Sequence, residues 1–187
     1  MDSNILKKLD FFSLLDSEAI FELRSILHHA EIKKGDFFLK EGQVCNKIGF
    51  MDKGFMKQFY NIDGEEVIKW VFIEKDIVCS FGSFVKNMPS NENIQAIKNS
   101  HIYYINKTDF QKLYTKHDSI KNLWISQIQS FLIGLEERIY IMISKQAKAR
   151  YEFFLTHYPV HARQIPLQYL ASLLGIAPQH LSRIRKS

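Results

Sequence analysis

Cysteine, proline and glycine are scarce in this chain: its 187 residues include two cysteines, four prolines and eight glycines. Cys45 and Cys79 are 34 positions apart, and neither belongs to a Cys-x-x-Cys or Cys/His pair. This spacing gives no support to a zinc or iron-sulfur site, so we expect two reduced, buried thiols. A disulfide-based redox switch is the alternative that the pair leaves open.

Long hydrophobic runs are also absent. Apolar residues make up 46% of the chain, as in an ordinary folded protein, but they nowhere form a run of about eighteen, the length a membrane span requires. The N-terminal MDSNILKK lacks the basic start, apolar stretch and cleavage site of a signal peptide. We therefore expect a cytoplasmic protein with no membrane partner.

Catalytic signatures are missing as well. The seven histidines are scattered without a paired nucleophile, and no Gly-rich phosphate loop precedes a predicted helix. An enzyme is therefore not indicated.

Residues 167–186 (LQYLASLLGIAPQHLSRIRK) have the spacing of a helix-turn-helix. Gly175 stands at the turn, Leu170 and Leu174 lie before it, and Leu181 and Ile184 lie after it. The second helix is expected to run from about Pro178 to the end of the chain. In such a motif this helix enters the major groove of DNA. Its outer face and edges carry the candidate DNA-binding residues Gln179, His180, Ser182, Arg183, Arg185 and Lys186.

Positive charge is concentrated in the same part of the chain. Residues 145–187 contain seven basic side chains and one acidic side chain, a net charge of +6, whereas the whole chain carries +5. Residues 1–144 therefore carry −1. This asymmetry favours double-stranded DNA as a partner over the alternative of a plain helical hairpin that packs on its own domain.

The rest of the chain predicts an α+β fold. Residues 3–30 have helical spacing from Leu6 and Leu9 onward. From Ile32 the pattern changes to seven or eight short strands, with turns at Lys34-Gly35, Glu41-Gly42, Asp52 to Gly54 and Asp63-Gly64. Strands at this spacing predict a β-sandwich or roll, that is, an N-terminal double-stranded β-helix or jelly roll.

A helix of about seven turns is predicted from Asp118, its N-cap, to roughly Lys145. Because the helix is apolar on more than one side, we expect one face to pack on the roll and another on the same helix of a second subunit. A monomer with both faces internal is the alternative. The expected homodimer stripe consists of Trp124, Ile128, Phe131, Leu135 and Met142.

A short helix over residues 147–157 and a linker over residues 159–164 complete the chain. The predicted domains are a roll at residues 1–117, the long helix at 118–145 and a helix-turn-helix domain at 146–187.

This order of elements resembles the Crp/Fnr family of bacterial transcription regulators. The most specific motifs are the turn pair from Gly35 to Gly42, the Asp63-Gly64 hairpin and the C-terminal LSRIRK. The resemblance implies a sensor roll that resembles a cyclic nucleotide-binding domain, a dimerisation helix and a DNA-binding terminal domain. It also implies RNA polymerase as a further partner.

The chain departs from the family at the effector pocket. Cyclic-AMP-binding members carry a Gly-Glu pair for the ribose and an Arg-Ser pair for the phosphate, and the matching positions are Cys79-Ser80 and Ser90-Asn91. Loss of the arginine should cost about 2 to 4 kcal/mol of phosphate binding. Lys86, Lys98 and Asn93 are the candidate substitutes. We expect a roll that does not answer to cyclic AMP and that binds another, unknown small molecule at Ser80, Ser90 and Asn91, or none.

The sequence does not support the other cofactors that such sensors use. An iron-sulfur cluster needs several N-terminal cysteines, and residues 1–44 contain none. For haem, His101, Cys45 or Cys79 are the available ligands, but each is a lone side chain without a second signal.

The DNA-binding end departs as well. Pro178, Gln179 and Arg183 match the family's three base-contacting positions, and Pro178 offers a base no donor or acceptor. The segment before the motif is about eight residues long, too short for the family's β-hairpin wing, and the chain as given stops after the recognition helix. The alternative function is a small-ligand or cyclic-nucleotide sensor that acts through protein contacts, with weak or vestigial DNA binding.

Overall fold

The fold is that of a computed structural model that describes residues 10–186. A 3-10 helix (Asp10–Leu14) and helix α1 (Ser17–Ile26) come first. The carboxylate of Asp16 caps α1, since its Oδ1 accepts a hydrogen bond of 2.8 Å from the backbone N–H of Ala19. Leu6 and Leu9 of the predicted N-terminal helix lie outside the described residues.

Eight strands follow, as two antiparallel four-stranded sheets that face each other. The first sheet has the order β1 (His28–Ile32), β8 (Ser100–Asn106), β3 (Lys47–Lys53), β6 (Ile77–Val78). The second has the order β2 (Phe37–Leu39), β7 (Asn93–Ala96), β4 (Met56–Ile62), β5 (Glu65–Phe72). The prediction of a β-roll is confirmed. The helix predicted to reach residue 30 was wrong in its last part, because His28 to Ile32 pair with β8.

The turns predicted from glycine are present. Gly35 and Gly42 have φ of +92° and +83°, a region that an L side chain adopts only with strain. Asp63 (φ 52°) and Gly64 (φ 85°) connect β4 directly to β5, as an Asp-Gly hairpin requires.

Seven helices lie between or after the strands in the described part of the chain. A short helix, α2 (Phe81–Lys86), separates β6 from β7, and α3 (Lys107–Lys116) follows β8. The long helix α4 (Asp118–Ser144) has the predicted length, with His117 rather than Asp118 as its N-cap. Then come α5 (Ala147–His157), α6 (Pro159–Gln164) and α7 (Leu167–Leu174). The terminal helix, α8 (Pro178–Ile184), ends before the chain does, and the predicted linker 159–164 is the helix α6.

Two apolar cores hold these layers together. The first fills the roll beneath α1, α3 and the start of α4, around Leu23, Met51 and Ile102. The second lies between the outer side of β5 and helices α5 to α8, and it contains Val71 and Leu170, neither of which is exposed. The terminal helices thus pack directly on the roll, and the domain boundaries predicted near residues 117 and 145 remain predictions. Within residues 10–186, none of the helices has the length and apolarity that crossing a membrane requires.

Candidate functional site

The turn between α7 and α8 fixes the geometry of the terminal helix pair. Gly175 has φ of +61°, its N–H donates to the carbonyl of Ser172 (3.1 Å), and the N–H of Ile176 donates to the carbonyl of Ala171 (2.9 Å). A Cβ atom at Gly175 would stand 3.0 Å from Cε of Met142 on the long helix. The motif is therefore a helix-turn-helix pressed against α4, at a position that favours glycine on both counts.

Arg150 braces this turn from α5. Its Nη1 donates to the carbonyl of Leu174 at 3.2 Å, and its Nε donates to the carbonyl of Lys145 at 2.9 Å. Sequence reasoning counted Arg150 with the positive charge of the C-terminal segment. Its guanidinium instead binds the carbonyl groups at the end of α7, so this arginine stabilises the turn.

The outer face of α8 carries the candidate DNA-binding side chains. Leu181 is fully buried beneath the helix, whereas Ser182 is half-buried. The remaining five candidates are exposed: Gln179, His180, Arg183, Arg185 and Lys186. Since α8 ends at Ile184, Arg185 and Lys186 belong to the turn that follows it. The structure brings the six together on one surface, and their contact with DNA stays a prediction.

The predicted effector residues separate into two groups. Ser80 and Ser90 are both buried, and their hydroxyl oxygens lie 3.1 Å apart. Asn91 is exposed, so it does not join them. The two serines are connected through Glu92: Ser80 donates to its Oε2 at 2.9 Å, and the Glu92 N–H donates to Ser90 Oγ at 3.0 Å.

Glu92 is the central acid of this site, and sequence reasoning missed it. Glu92 is only 5% exposed to solvent. One carboxylate oxygen accepts from Gln58 (2.6 Å) and Ser80, and the other accepts from Tyr60 (3.0 Å) and forms an ion pair with Lys69. The available signal was a lone acidic residue directly before the apolar strand β7. Ser80, Ser90 and their surroundings thus hold an internal anion.

The pKa values follow from this arrangement. Burial by itself would raise the pKa of Glu92, but the hydrogen bond and charge of Lys69, with the hydroxyl groups of Ser80 and Tyr60, lower it below the ordinary value. The same contact acts in reverse on the phenol: burial and the negative Glu92 raise the pKa of Tyr60 to about 12. Glu92 is therefore ionised and Tyr60 protonated at neutral pH.

None of the predicted substitutes for the phosphate-binding arginine is the cation at this site. Lys86 is exposed, and Lys98 Nζ lies 4.7 Å from the ring centroid of Phe55. Asn93 is buried, but its Oδ1 accepts from the N–H of Glu41 at 3.0 Å. Lys69, from β5, supplies the positive charge instead.

A cavity of about 410 Å³ opens next to the Glu92 site, between the roll and the long helix. Gln58, Lys69 and Arg138 are among its polar lining residues. Its aromatic walls come from β5, α2, α4 and the junction between α5 and α6, and consist of Trp70, Phe72, Phe81, Trp124, Phe131 and Tyr158. Such a mixture of apolar walls and a few polar groups is typical of a small-molecule pocket.

Arg138 connects the three parts that meet at the cavity. From α4, its Nη1 donates to the carbonyl of Lys69 at 2.6 Å, and its Nη2 donates to the carbonyl of Leu173 in α7 at 3.3 Å. Burial lowers the pKa of Arg138 from its ordinary value, which still leaves the guanidinium charged. One side chain thus links the long helix, the roll and the helix-turn-helix.

The predicted dimer stripe on α4 is partly covered by the chain's own roll, and its place in a dimer stays a prediction. Trp124 and Phe131 face the chain's own roll, with ring centroids 6.1 and 5.8 Å from that of Phe81. Ile128, Leu135 and Met142 are half-buried. The side chains that protrude at heptad-like spacing are Ile125, Leu132, Ile139 and Ile143, which we call the outer stripe.

Comparison with known proteins agrees with this architecture. Residues 29–117 match the cyclic nucleotide-binding domain. A mutant of CooA from Carboxydothermus hydrogenoformans has a TM-score of 0.71 at 17% identity, covering 100% of this chain and 84% of that one. A Crp/Fnr-family transcriptional regulator from Eubacterium rectale has a TM-score of 0.69 at 14% identity, covering 96% and 86%. The chain has the Crp/Fnr fold.

A third solved structure matches over a smaller share of both chains. The regulatory subunit of a cAMP-independent protein kinase A from Trypanosoma brucei has a TM-score of 0.57 at 20% identity, and the match covers 67% of this chain but only 45% of that subunit. No curated protein matches the sequence significantly.

One difference from the Crp/Fnr pattern lies just before the helix-turn-helix. Between residues 107 and 186 the structure contains helices and turns and no strand. The connection from α5 to α7 is the helix α6 instead of a β-hairpin wing. On α6, His161 Nε2 lies 2.8 Å from Asp76 Oδ2 of the roll, so this connection packs against the roll.

Proposed function

We propose that the protein is a dimeric DNA-binding transcription regulator that cyclic AMP does not switch. The observation that carries the proposal is the terminal helix pair, in which Gly175 and Arg150 fix a turn and α8 presents an exposed polar and basic face. A recognition helix needs this combination of rigid support and accessible donors.

The Glu92 network is the reason to propose indifference to cyclic AMP. Ser90 stands where the resemblance places the phosphate-binding arginine, and the ionised Glu92 is bonded to it and to Ser80. A cyclic phosphate at about 4 Å from this carboxylate would be opposed by roughly 4 kcal/mol at an effective dielectric of about 20. Lys69, the nearby cation, is already paired with Glu92. The trypanosomal subunit, described as cAMP-independent, is a precedent for this fold without that response.

The cavity beside Glu92 supports an effector of another kind. Its walls are largely aromatic, its polar lining includes Gln58 and Lys69, and Arg138 connects it to α7. A small, largely apolar molecule bound there would shift Arg138 or α4. Because both contact the helix-turn-helix directly, the shift would be passed on to it. We propose this cavity as the effector site.

The outer stripe of α4 supports the dimer. Ile125 is 39% exposed, Leu132 55%, Ile139 57% and Ile143 81%, so this helix has an exposed apolar face in addition to the face that packs on its own roll. Pairing two such helices would bury it and bring two copies of α8 onto one DNA site.

The deciding experiment is a titration of duplex DNA from the protein's own upstream region, against a scrambled duplex, over a series of salt concentrations. Phosphate contacts predict that log K falls linearly with log salt, by about 0.9 for each contacted phosphate, and that the specific duplex binds more tightly. No binding at low salt, or a flat dependence, would contradict the proposal. Calorimetry with cyclic AMP and cyclic GMP tests the sensor half: we expect no binding at micromolar nucleotide.

A further inference from the structure

The two cysteines of the chain meet inside the fold. Cys45 lies just before β3 and Cys79 just after β6, and their Sγ atoms are 3.9 Å apart. A disulfide requires a separation of about 2.05 Å, so each sulfur needs to move by only about 1 Å. Cys45 also receives a backbone anchor, since its N–H donates to Ser83 Oγ of α2 at 2.9 Å.

The environments of the two thiols are opposite. The hydrogen bond from Cys79 lowers the pKa of Cys45 to about 7, despite partial opposition from burial, and backbone hydrogen bonds at Ser80 and Lys47 and the charge of Lys47 add to the effect. The contact with Cys45, burial and the charge of Glu92 raise the pKa of Cys79 well above its ordinary value. One sulfur is thus a partial thiolate at neutral pH, and the other is a protonated thiol beside it. Redox-sensing cysteine pairs combine these two properties.

Each cysteine also borders open space. Cys45 lines a surface cavity of about 410 Å³ together with Gln43 and Lys47, and Cys79 lines the cavity beneath α4. A molecule as small as hydrogen peroxide therefore has an approach to the pair from either side.

We propose that Cys45 and Cys79 are a redox modification site that forms an intramolecular disulfide on reaction with a peroxide. The Cys45 thiolate attacks one peroxide oxygen, the O–O bond breaks, and Cys45 sulfenic acid and hydroxide result. Cys79 then attacks the sulfenyl sulfur: the S–S bond forms, the S–O bond breaks, and the leaving hydroxide takes the Cys79 proton as water. Two thiols are oxidised, and one peroxide is reduced to two waters.

The disulfide would act on the sensor pocket through the chain that follows Cys79. Ser80, the next residue, is bonded to Glu92, and Phe81 packs on Phe131 and Trp124 of the long helix. Drawing Cys79 toward Cys45 therefore shifts the start of α2 against α4. Through this contact, oxidation would alter the position of α4, the helix that we propose forms the dimer. This last step rests on the proposed function.

The test treats the reduced full-length protein with a small excess of hydrogen peroxide and then maps its peptides under denaturing, alkylating conditions. We expect the loss of two free thiols, the loss of two hydrogen atoms in intact mass, a linked pair of peptides that contain Cys45 and Cys79, and full reversal by dithiothreitol. Tryptophan fluorescence, to which Trp70 and Trp124 both contribute, should change in step with the loss of thiols. Oxidation only to sulfinic acid, a disulfide between subunits, or two thiols that persist under this treatment would overturn the proposal.

Two matched variants assign the roles. Cys79→Ser should leave a Cys45 sulfenic acid that dimedone traps, with no linked peptides. Cys45→Ser should slow the oxidation of the remaining thiol at least about tenfold, because that thiol is protonated at neutral pH. Equal oxidation rates in the two variants would contradict the assignment of Cys45 as the attacking sulfur. None of these measurements involves DNA, so their outcome is independent of the proposed function.

Discussion

The hydroxyl oxygen of Ser172 on α7 accepts a hydrogen bond of 3.0 Å from the backbone N–H of Ile68 on β5. Strand β5 is the edge of its sheet, and an edge strand presents unpaired N–H and C=O groups. Helix α7 covers this edge, and Ser172 supplies the acceptor that a neighbouring strand would otherwise provide. The helix-turn-helix is therefore fastened to the roll by a polar contact as well as by the second apolar core.

Replacing this serine tests how the two parts are joined. Ser172→Ala leaves the Ile68 N–H without its acceptor, and we expect a loss of about 1 to 2 kcal/mol in the free energy of unfolding. The local measurement is hydrogen exchange, in which the Ile68 amide should lose protection. Ser144→Ala is the matched control, because that hydroxyl bonds only to the carbonyl of Tyr140 in its own helix and is exposed. Unchanged protection at Ile68 would contradict the role given to Ser172.

The structural features predicted correctly from the sequence are those whose pattern lies within a few adjacent residues. The Asp63-Gly64 hairpin and the Gly175 turn were predicted because a positive φ is required by a few adjacent residues. Strand β1 was not predicted because no pattern within His28 to Ile32 indicates that these residues pair with β8, more than sixty residues later. The prediction failed where pairing across the chain overrode local helical spacing.

The candidate site shows the same division. Ser80 and Ser90 were found because a resemblance supplied their spacing. The ion pair between Glu92 and Lys69 of β5 changes how these two serines are interpreted. The two charged residues are 23 positions apart, so no local sequence pattern predicts their contact. Likewise, periodicity found that α4 is apolar on two sides, but it did not tell which side meets the roll.

The buried Glu92 beside the cavity gives a pH-dependent prediction. Because the folded pKa of Glu92 is below its ordinary value of 4.5, its stabilising contribution is complete above about pH 4.5 and is lost as the pH falls through the folded pKa. Glu92→Gln should lower the free energy of unfolding by about 1 to 3 kcal/mol at pH 7, and the deficit should narrow in acid. Urea denaturation at several pH values measures both. A deficit that stays constant down to pH 3 would rule out the charge of Glu92 as its cause. Glu152→Gln, at an exposed position, is the control and should change stability little.

The recognition face gives a prediction for DNA binding. Arg183 is exposed on α8, where its guanidinium can fork onto guanine O6 and N7. Arg183→Ala should weaken binding to the specific duplex by about 1 to 3 kcal/mol, or about 5- to 150-fold, with a smaller effect on a scrambled duplex. Fluorescence anisotropy with both duplexes provides the measurement. Arg24→Ala removes the same charge from the exposed face of α1 and should change neither affinity; equal losses in the two variants would mean that only net charge matters.

The turn glycine gives a prediction for stability. Gly175→Ala introduces a Cβ at a φ of +61°, 3.0 Å from Met142 Cε and 3.4 Å from Arg150 Nη1, so we expect a loss of about 1 to 2 kcal/mol. Gly82→Ala is the matched control, because a Cβ there meets nothing within 4 Å and the residue lies in helix α2. Alanine is the better helix former, so the control should be neutral or stabilising by up to about 1 kcal/mol. The midpoint of thermal unfolding should fall for Gly175→Ala and stay level or rise for Gly82→Ala, and a Gly175→Ala protein as stable as the parent would show that the turn can relax.

The outer stripe gives the last prediction, which concerns the subunit state. Leu132 is 55% exposed at the middle of α4, flanked by Ile125 and Ile139 on the same face. If two helices pair there, Leu132→Lys places a charge in an apolar seam from both subunits, and self-association should weaken at least about tenfold. Sedimentation equilibrium measures the change, with Val160→Lys as the control, since Val160 is 48% exposed on α6 and away from the stripe. A parent protein that is monomeric at micromolar concentration, or a Leu132→Lys protein that remains as dimeric as the parent, would exclude this face. Because Trp124 packs on Phe84 and Phe110, Trp124→Lys should instead disturb the packing of the chain's own core.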